Sequence, residues 1–467
     1  MYMTSTFTRF VGRLMRSQFL VGIGLACWLS SMSAYGQWLT PAPAPKAVNV
    51  TDRNGIDVAM KQGKFEDLRD IASQNLAPET HEYALAAYYR SIFDLRDSDT
   101  HLEKCLTIGR NMLDRNPVPV LLCGRMLAGN NYIRGDIRKW ATTAANTRDA
   151  VTPVITQMVK TSNFVLPGIS DVPLENYLQV PQMSPPPPSG KTVVIPRQGI
   201  APEKSASLNA KAEDGVLQAK QFYVIGLQIN DALVPVIFDT GASSTTLGEF
   251  TAKAAHIKDD ALSFISVDNP FNGQNVQSHL GVVSTLIPGG RGFDDIRFRN
   301  FPLVISPDVK ISAAGIDLFS KLGSLMIENT QIVIHPRSPP QCEEQLHVTS
   351  EPLGSVGILL NYVIDGKMEE ILLDTGDNGF LSATASASVK GMSGPLSASR
   401  ATFQEIEKVQ YETTEVTIGM GQHARKVLIR YYPDRKAAVP YVMGLAALED
   451  FDVFLDFDHG KACLIPH

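Results

Sequence analysis

The sequence predicts a multidomain protein: an all-α, repeat-like N-terminal domain followed by an all-β region of two similar lobes. Three observations predict it. Apolar residues recur at helical spacing between about Gly55 and Lys160. A proline run, Pro185 to Pro188, then marks a change of texture. Beyond it, short runs of Val, Ile, Leu and Phe alternate with Gly, Asn and Asp turn signals, and one such block occurs twice.

At the N-terminus, Arg9, Arg13 and Arg16 stand with no acidic residue nearby. The apolar run Phe19 to Leu29 follows, and small residues lead to Ala34-Tyr35-Gly36. That order reads as a signal peptide over residues 1–36, cleaved after Gly36. Eleven apolar residues are too few to cross ~30 Å of hydrocarbon as a helix, so a retained anchor is disfavoured and no membrane contact is expected after cleavage. Cys27 raises a lipoprotein site, but Gly24 stands where such a site wants a larger aliphatic residue. The expected location is the periplasm, or outside the cell as a secreted protein.

Export changes how the cysteines read. Cys105, Cys123, Cys342 and Cys463 remain, and no C-x-x-C pair is present to suggest a zinc ribbon or a thioredoxin motif. An even count in an oxidising compartment is compatible with two disulfides. Proximity suggests Cys105–Cys123 and Cys342–Cys463; four small buried hydrophobes is the other reading. With 44% hydrophobic and 19% charged residues the composition is globular, and a net charge of −6 argues against a nucleic-acid partner.

Residues 37–54, with Pro41 to Pro45, read as a linker, and 55–165 as the helical domain. Tyr83, Ala84, Ala87, Tyr88 and Ser91 recur at helix spacing, as do Leu121, Leu122, Arg125 and Met126. Pro78, Pro117, Pro119 and Pro153 are expected to punctuate helices rather than interrupt them. Gln62-Gly63-Lys64-Phe65 and Arg134-Gly135-Asp136-Ile137 lie 72 residues apart, two periods of 36, which places a middle turn near Arg96 to Ser98. The pattern resembles tetratricopeptide-type repeats, with a plain helical bundle as the alternative, and offers a surface for a protein partner. Residues 166–214 read as a Pro-rich linker in extended polyproline geometry, separating two domains.

The β region carries its own duplication. Val236-Ile237-Phe238 runs into Asp239-Thr240-Gly241, and Ile371-Leu372-Leu373 runs into Asp374-Thr375-Gly376, 135 residues later. Nine residues before each Asp lies a hairpin turn, Asn230-Asp231 or Asp365-Gly366. Downstream, each copy reaches an apolar pair and a Gly, Ala313-Ala314-Gly315 or Val442-Met443-Gly444, and ends in a hairpin at Ile332-Val333-Ile334 or Cys463-Leu464-Ile465. Features in the same order at nearly the same spacing divide the region into lobe 1, residues 215–345, and lobe 2, residues 346–467.

These lobes resemble the retropepsin-like and pepsin-like aspartic proteases, in which each lobe supplies one D-T-G loop and a later apolar-apolar-Gly element. The resemblance implies an all-β bilobal acid-protease fold and a hydrolase cutting peptide or protein substrates, with Asp239 and Asp374 as the catalytic pair. It implies that Thr240 and Thr375 cross-link the loops, that Gly241 and Gly376 let backbone approach the carboxylates, and that Ser243 donates to Asp239. Lobe 2 departs from the pattern with Asp377-Asn378, where Asn378 could take the donor role of Ser243. Asp377 is a third carboxylate that either points to solvent, shifts the pH dependence or removes activity. Candidate flaps are Phe264 to Ile287, with Asn272-Gly273 as its tip, and a region around Gly391 to Ala401, with Gly394-Pro395.

Two carboxyl groups a few Å apart can share one proton, since like charges raise one pKa. The ionised member then takes a proton from water while the neutral one donates to the carbonyl oxygen. Both halves lie in one chain, so the active site needs no homodimer. No cofactor or metal is expected: His81-Glu82 does not continue to H-E-x-x-H, and no P-loop or G-x-S-x-G elbow is present. The competing reading is a catalytically inactive, peptide-binding scaffold that uses the lobes and the helices for interaction.

Overall fold

The computed structural model describes residues 53–467 except 160–173, 188–189, 199–221, 258–262, 269–274, 307–308, 310–311, 353, 390–392, 402–405, 420–423, 434 and 436–438. The signal-peptide reading of 1–36, Cys27 included, and nearly all of the 37–54 linker lie outside the described residues. The described part belongs to one unit, Val48–His467.

Its first half is helical: α1 (Arg53–Lys61), α2 (Phe65–Ala72), α3 (Pro78–Ser91), α4 (Leu95–Arg110), α5 (Val118–Ile133) and α6 (Ile137–Val159). Three tight turns pair them, at Gly63, Phe93 and Gly135, with φ of 69°, 60° and 77°. Glycine enters this left-handed region without steric cost, whereas Phe93 does not. The Phe93 ring lies edge-on against Phe457, centroids 5.4 Å apart. The middle turn is therefore at 92–94 and not near Arg96 to Ser98. Asp94 caps α4, its carboxylate accepting from the Asp97 N–H at 3.0 Å. Pro153 also differs from expectation, because it sits inside α6. Val151 and Ile155 beside it are buried, and that packing carries the helix past the missing N–H. Cys105 of α4 is bonded to Cys123 of α5.

The stretch read as a Pro-rich spacer is partly built into the fold. Leu174 and Tyr177 are buried in the helical core, Tyr177 edge-on to Trp140 at 5.3 Å. Further on, Val193–Pro196 forms β1.

The two lobes use one strand order twice. Lobe 1 has β2 (Val224–Ile229), β3 (Ala232–Phe238), β4 (Thr246–Gly248), β5 (Ser263–Asp268), β6 (Asn275–Pro288), β7 (Phe298–Ser306) and β8 (Ala313–Ala314), arranged β2-β3-β8-β4-β7-β6-β5. Lobe 2 has β12 (Val356–Ile364), β13 (Lys367–Leu373), β14 (Leu381–Thr384), β15 (Leu396–Ala401), β16 (Ile406–Ile418), β17 (Arg425–Tyr432) and β18 (Tyr441–Met443). Their order is β12-β13-β18-β14-β17-β16-β15, with β11 (His347–Ser350) added at the edge. The first to third-last strand also pair across each sheet, β2 with β6 and β12 with β16. Both hairpin turns that precede the D-T-G loops use positive φ, 51° at Asn230 and 49° at Asp365.

A third sheet joins the lobes. β9 (Ser324–Ile327) and β10 (Gln331–Ile334) close lobe 1; β19 (Phe451–Asp456) and β20 (Lys461–Pro466) close lobe 2. β9 runs antiparallel to β19 with Leu325 opposite Leu455, and β1 pairs with β10 at the edge. Cys342 is bonded to Cys463 on β20. The whole is a helical region followed by the all-β bilobal acid-protease fold.

The helices grip lobe 2. Arg90, fully buried in α3, donates from Nη2 to Glu351 O at 2.5 Å and from Nη1 to Pro352 O at 3.3 Å. Gly129 of α5 leaves room for the same loop, since a Cβ there would stand 2.1 Å from Pro352 O.

Candidate active site

Each D-T-G loop leaves the end of a strand held between parallel neighbours. The Asp239 N–H donates to Ala314 O at 3.0 Å, and the Asp374 N–H to Met443 O at 2.9 Å. The apolar-apolar-Gly elements are thus the parallel partners β8 and β18 of the strands that end in D-T-G. Their glycines permit close passage: a Cβ on Gly315 would lie 2.7 Å from Ala242 O, and one on Gly444 2.4 Å from Gly379 O. Phe238, 1% exposed, anchors the first loop between Tyr223 and Phe319, with centroids at 5.4 and 4.5 Å. Burying one such ring is worth about 2–3 kcal/mol.

The two loops face each other. A Cβ on Gly241 would meet Asp374 Oδ1 at 2.5 Å, and one on Gly376 would meet Asp239 Cγ at 2.7 Å. Thr240 and Thr375 clamp them reciprocally. The Thr240 N–H donates to Thr375 Oγ1 and the Thr375 N–H to Thr240 Oγ1, both at 3.0 Å. Each hydroxyl then donates onward across the lobe boundary, Thr240 to Leu373 O at 3.0 Å and Thr375 to Phe238 O at 2.8 Å. The inner oxygens of the carboxylates accept from their own loops. Asp239 Oδ1 takes the Gly241 N–H at 2.8 Å, and Asp374 Oδ1 takes the Gly376 and Asp377 N–H groups at 3.1 and 3.2 Å.

Burial pushes both carboxyls upward. Asp239 stands well above the usual carboxylate range, from burial first and from the charge of Asp374 second. Asp374 is raised by burial and by Asp377, while the Arg435 guanidinium opposes the rise.

Arg435 is the residue that sequence reasoning missed. It lies between β17 and β18, 7% exposed, with Nη2 3.5 Å from Asp374 Oδ2 and Nη1 3.3 Å from Asp377 Oδ2. Asp377 accepts further from the Gly379 N–H at 2.8 Å and from Ser382 Oγ at 3.3 Å. The third carboxylate does not point to solvent; it is bound in an ion cluster. A buried acid calls for a cation, but no spacing rule separates Arg435 from nearby Arg425 or Arg430.

The supporting residues depart from the expected pattern. Ser243 does not orient Asp239: its hydroxyl donates to Val356 O and accepts from the Val356 N–H, both at 3.0 Å, fastening loop 1 to the first strand of lobe 2. Val356 follows the loop gripped by Arg90, which brings its backbone within reach. Asn378, the equivalent position, is exposed, and the second N–H to Asp374 comes from Asp377. Ser244 beside Ser243 meets the Tyr132 hydroxyl of α5 at 3.4 Å. Near it, Lys321 is pushed down to about 8 by burial and donates to Ile133 O at the end of α5, at 2.9 Å.

The lobe 1 flap candidate is the β5–β6 hairpin, whose tip with Asn272-Gly273 lies outside the described residues. In lobe 2, Gly394-Pro395 is not a hairpin tip, and Gly391 lies outside the described residues. Proline has no N–H for a ladder, so β15 begins after it and pairs with β16, Leu396 opposite Tyr411. Among the described residues, no group of three or more His, Cys, Asp or Glu side chains is placed to hold a metal ion.

The family model for aspartyl protease matches residues 225–342, a stretch that holds Asp239 and ends before Asp374. No curated protein matches the chain. Among solved structures, an aspartic proteinase from Irpex lacteus is 12% identical, covering 59% of this chain and 97% of that chain at a TM-score of 0.34. A retropepsin-like aspartic protease from Rickettsia conorii is 16% identical, covering 33% and 91% at a TM-score of 0.21. Basic 7S globulin from soybean is 10% identical, covering 59% and 96% at a TM-score of 0.35. Scores this low carry no weight of their own; the fold rests on the repeated strand order and the clamped loops.

Proposed function

We propose that this protein is an exported aspartic endopeptidase that hydrolyses peptide bonds with a water held between Asp239 and Asp374. One observation carries the reading: two buried carboxyls, one from each lobe, face each other across loops clamped by Thr240 and Thr375. With one proton shared, the ionised carboxyl removes a proton from water and the neutral one protonates the carbonyl oxygen. Both acids come from one chain, so no second copy is needed. The helices that grip 351–352 brace Val356, and through it Ser243 and the first loop. Support for export comes from the Arg-apolar-small order of residues 1–36 and from the two disulfides, which suit an oxidising compartment.

The test is cleavage of a mixed peptide library by the purified chain from about pH 3 to 8, beside Asp239→Asn. Cleavage by the wild type alone is expected. A folded wild type that cuts nothing across that range would move the reading to a peptide-binding scaffold on protease-like lobes.

A further inference from the structure

We infer that Arg435 is a positioning residue of the dyad: its pairing with Asp374 keeps the lobe 2 carboxyl as the ionised member and leaves the shared proton on Asp239. The inference rests on reading Asp239 and Asp374 as the catalytic pair, and it assigns each a role.

Nothing about D-T-G loops requires an arginine, and lobe 1 shows what the site is without one. Asp377 stands where lobe 1 has Ala242, and Ser382 where lobe 1 has Thr246. Only lobe 2 therefore carries an acid three residues after its catalytic Asp. Neutralising Asp377 would need a single contact from Arg435. The guanidinium instead divides its two terminal nitrogens, Nη1 to Asp377 Oδ2 at 3.3 Å and Nη2 to Asp374 Oδ2 at 3.5 Å. Ser382 Oγ, which accepts from Nη1 at 3.3 Å, holds the fork in that orientation. Among the described residues, the charged groups facing Asp374 are Asp239 from lobe 1, Asp377 from its own loop and Arg435 from the segment before β18. Asp434, next to Arg435, lies outside the described residues.

A cation beside one member of a proton-sharing pair breaks its symmetry, because the proton settles on the carboxyl farther from the positive charge. Asp239 lies on that side, and its stronger upward shift agrees. The cycle then balances. Asp374 takes a proton from water as the water oxygen bonds to the carbonyl carbon, and Asp239 gives its proton to the carbonyl oxygen. In the second half Asp374 protonates the leaving nitrogen, Asp239 recovers a proton from a diol hydroxyl, and the C–N bond breaks. The enzyme ends as it began.

The experiment is selective alkylation of the purified full chain, read by peptide mass mapping. An epoxide is opened by an ionised carboxylate and leaves a hydroxy-ester, whereas a diazoacetyl ester alkylates a protonated carboxyl with loss of nitrogen. The expected map puts the epoxide ester on Asp374 and the diazo ester on Asp239. In Arg435→Gln that preference is lost, and in Arg435→Lys, which keeps the charge, it is retained. A wild-type epoxide ester on Asp239, or an unchanged map in folded Arg435→Gln, overturns the inference. Labelling needs no turnover, so a chain that labels as expected yet cuts no peptide would sink the catalytic reading alone.

The pH profile of cleavage supplies the second readout. Arg435→Gln should move the acid limb to higher pH by about one unit or more. Asp377→Asn, which needs no new buried pairing, should move it to lower pH. Shifts of both variants in one direction contradict the assignment.

Discussion

The two lobes share a strand order but not a charge environment. In both, a strand ends in D-T-G beside a parallel partner, and a glycine lets the loop pass under it. In lobe 1 the loop continues through Ala242 and Ser243, neutral residues, and Ser243 is spent on the backbone of Val356. In lobe 2 the loop continues through Asp377, which recruits Ser382 and Arg435 and places a guanidinium beside Asp374. A duplicated fold thus supplies two equivalent carboxyls, and unequal neighbours make them different. Symmetry sets where the acids are; the neighbours set which one holds the proton.

Substitutions can separate the shared part of that comparison from the unshared part. Thr240→Ala and Thr375→Ala attack what is shared. Each removes a hydroxyl that accepts one buried N–H and donates to one buried carbonyl of the other lobe. Leaving those groups without partners should cost about 2–3 kcal/mol of unfolding free energy in denaturant titration, alike for the two variants. Markedly unequal costs would mean that the clamp is not reciprocal.

Asp239→Asn tests the unshared part through stability. The folded pKa of Asp239 lies above its ordinary value near 3.8, so its proton favours folding fully below that value. That contribution is lost as pH rises through the folded pKa. The wild type should therefore lose melting temperature relative to Asp239→Asn on going from about pH 4 upward. A constant gap between the two melting curves would show that Asp239 is not raised.

The smallest effects come from the pair at the next position. Ser243→Ala should cost about 1 kcal/mol for its two hydrogen bonds to Val356, whereas Asn378→Ala, at an exposed site, should stay within about 0.5 kcal/mol. Equal costs would restore the equivalence that the geometry denies.

The duplication was legible because both copies keep the motifs that backbone geometry demands: D-T-G, the Asn230-Asp231 and Asp365-Gly366 turns, and the glycines at 315 and 444. The disulfide pairing suggested by proximity is also the one present. What stayed hidden has a physical reason in each case. The Phe93 turn carries no glycine, because packing on Phe457 holds its positive φ, so a period built on glycine turns misplaced it. β1 is four residues long and its pairing with β10 is a long-range choice that no local pattern announces. Arg435 lies 61 residues from Asp374 in sequence, and only the strand order of lobe 2 brings it there. Ser243 looked like a donor to Asp239 from its place in the motif, yet the competing acceptor, Val356, comes from the other lobe.

The most direct test of one dyad shared by two unequal lobes is a single cleavage assay on four samples. They are wild type, Asp239→Asn, Asp374→Asn, and an equimolar mixture of the two variants. Cleavage by the wild type alone is expected, with the mixture as silent as its components, because each chain builds its site from its own two lobes. Activity regained on mixing would contradict the account, since it would require the two acids to come from different chains.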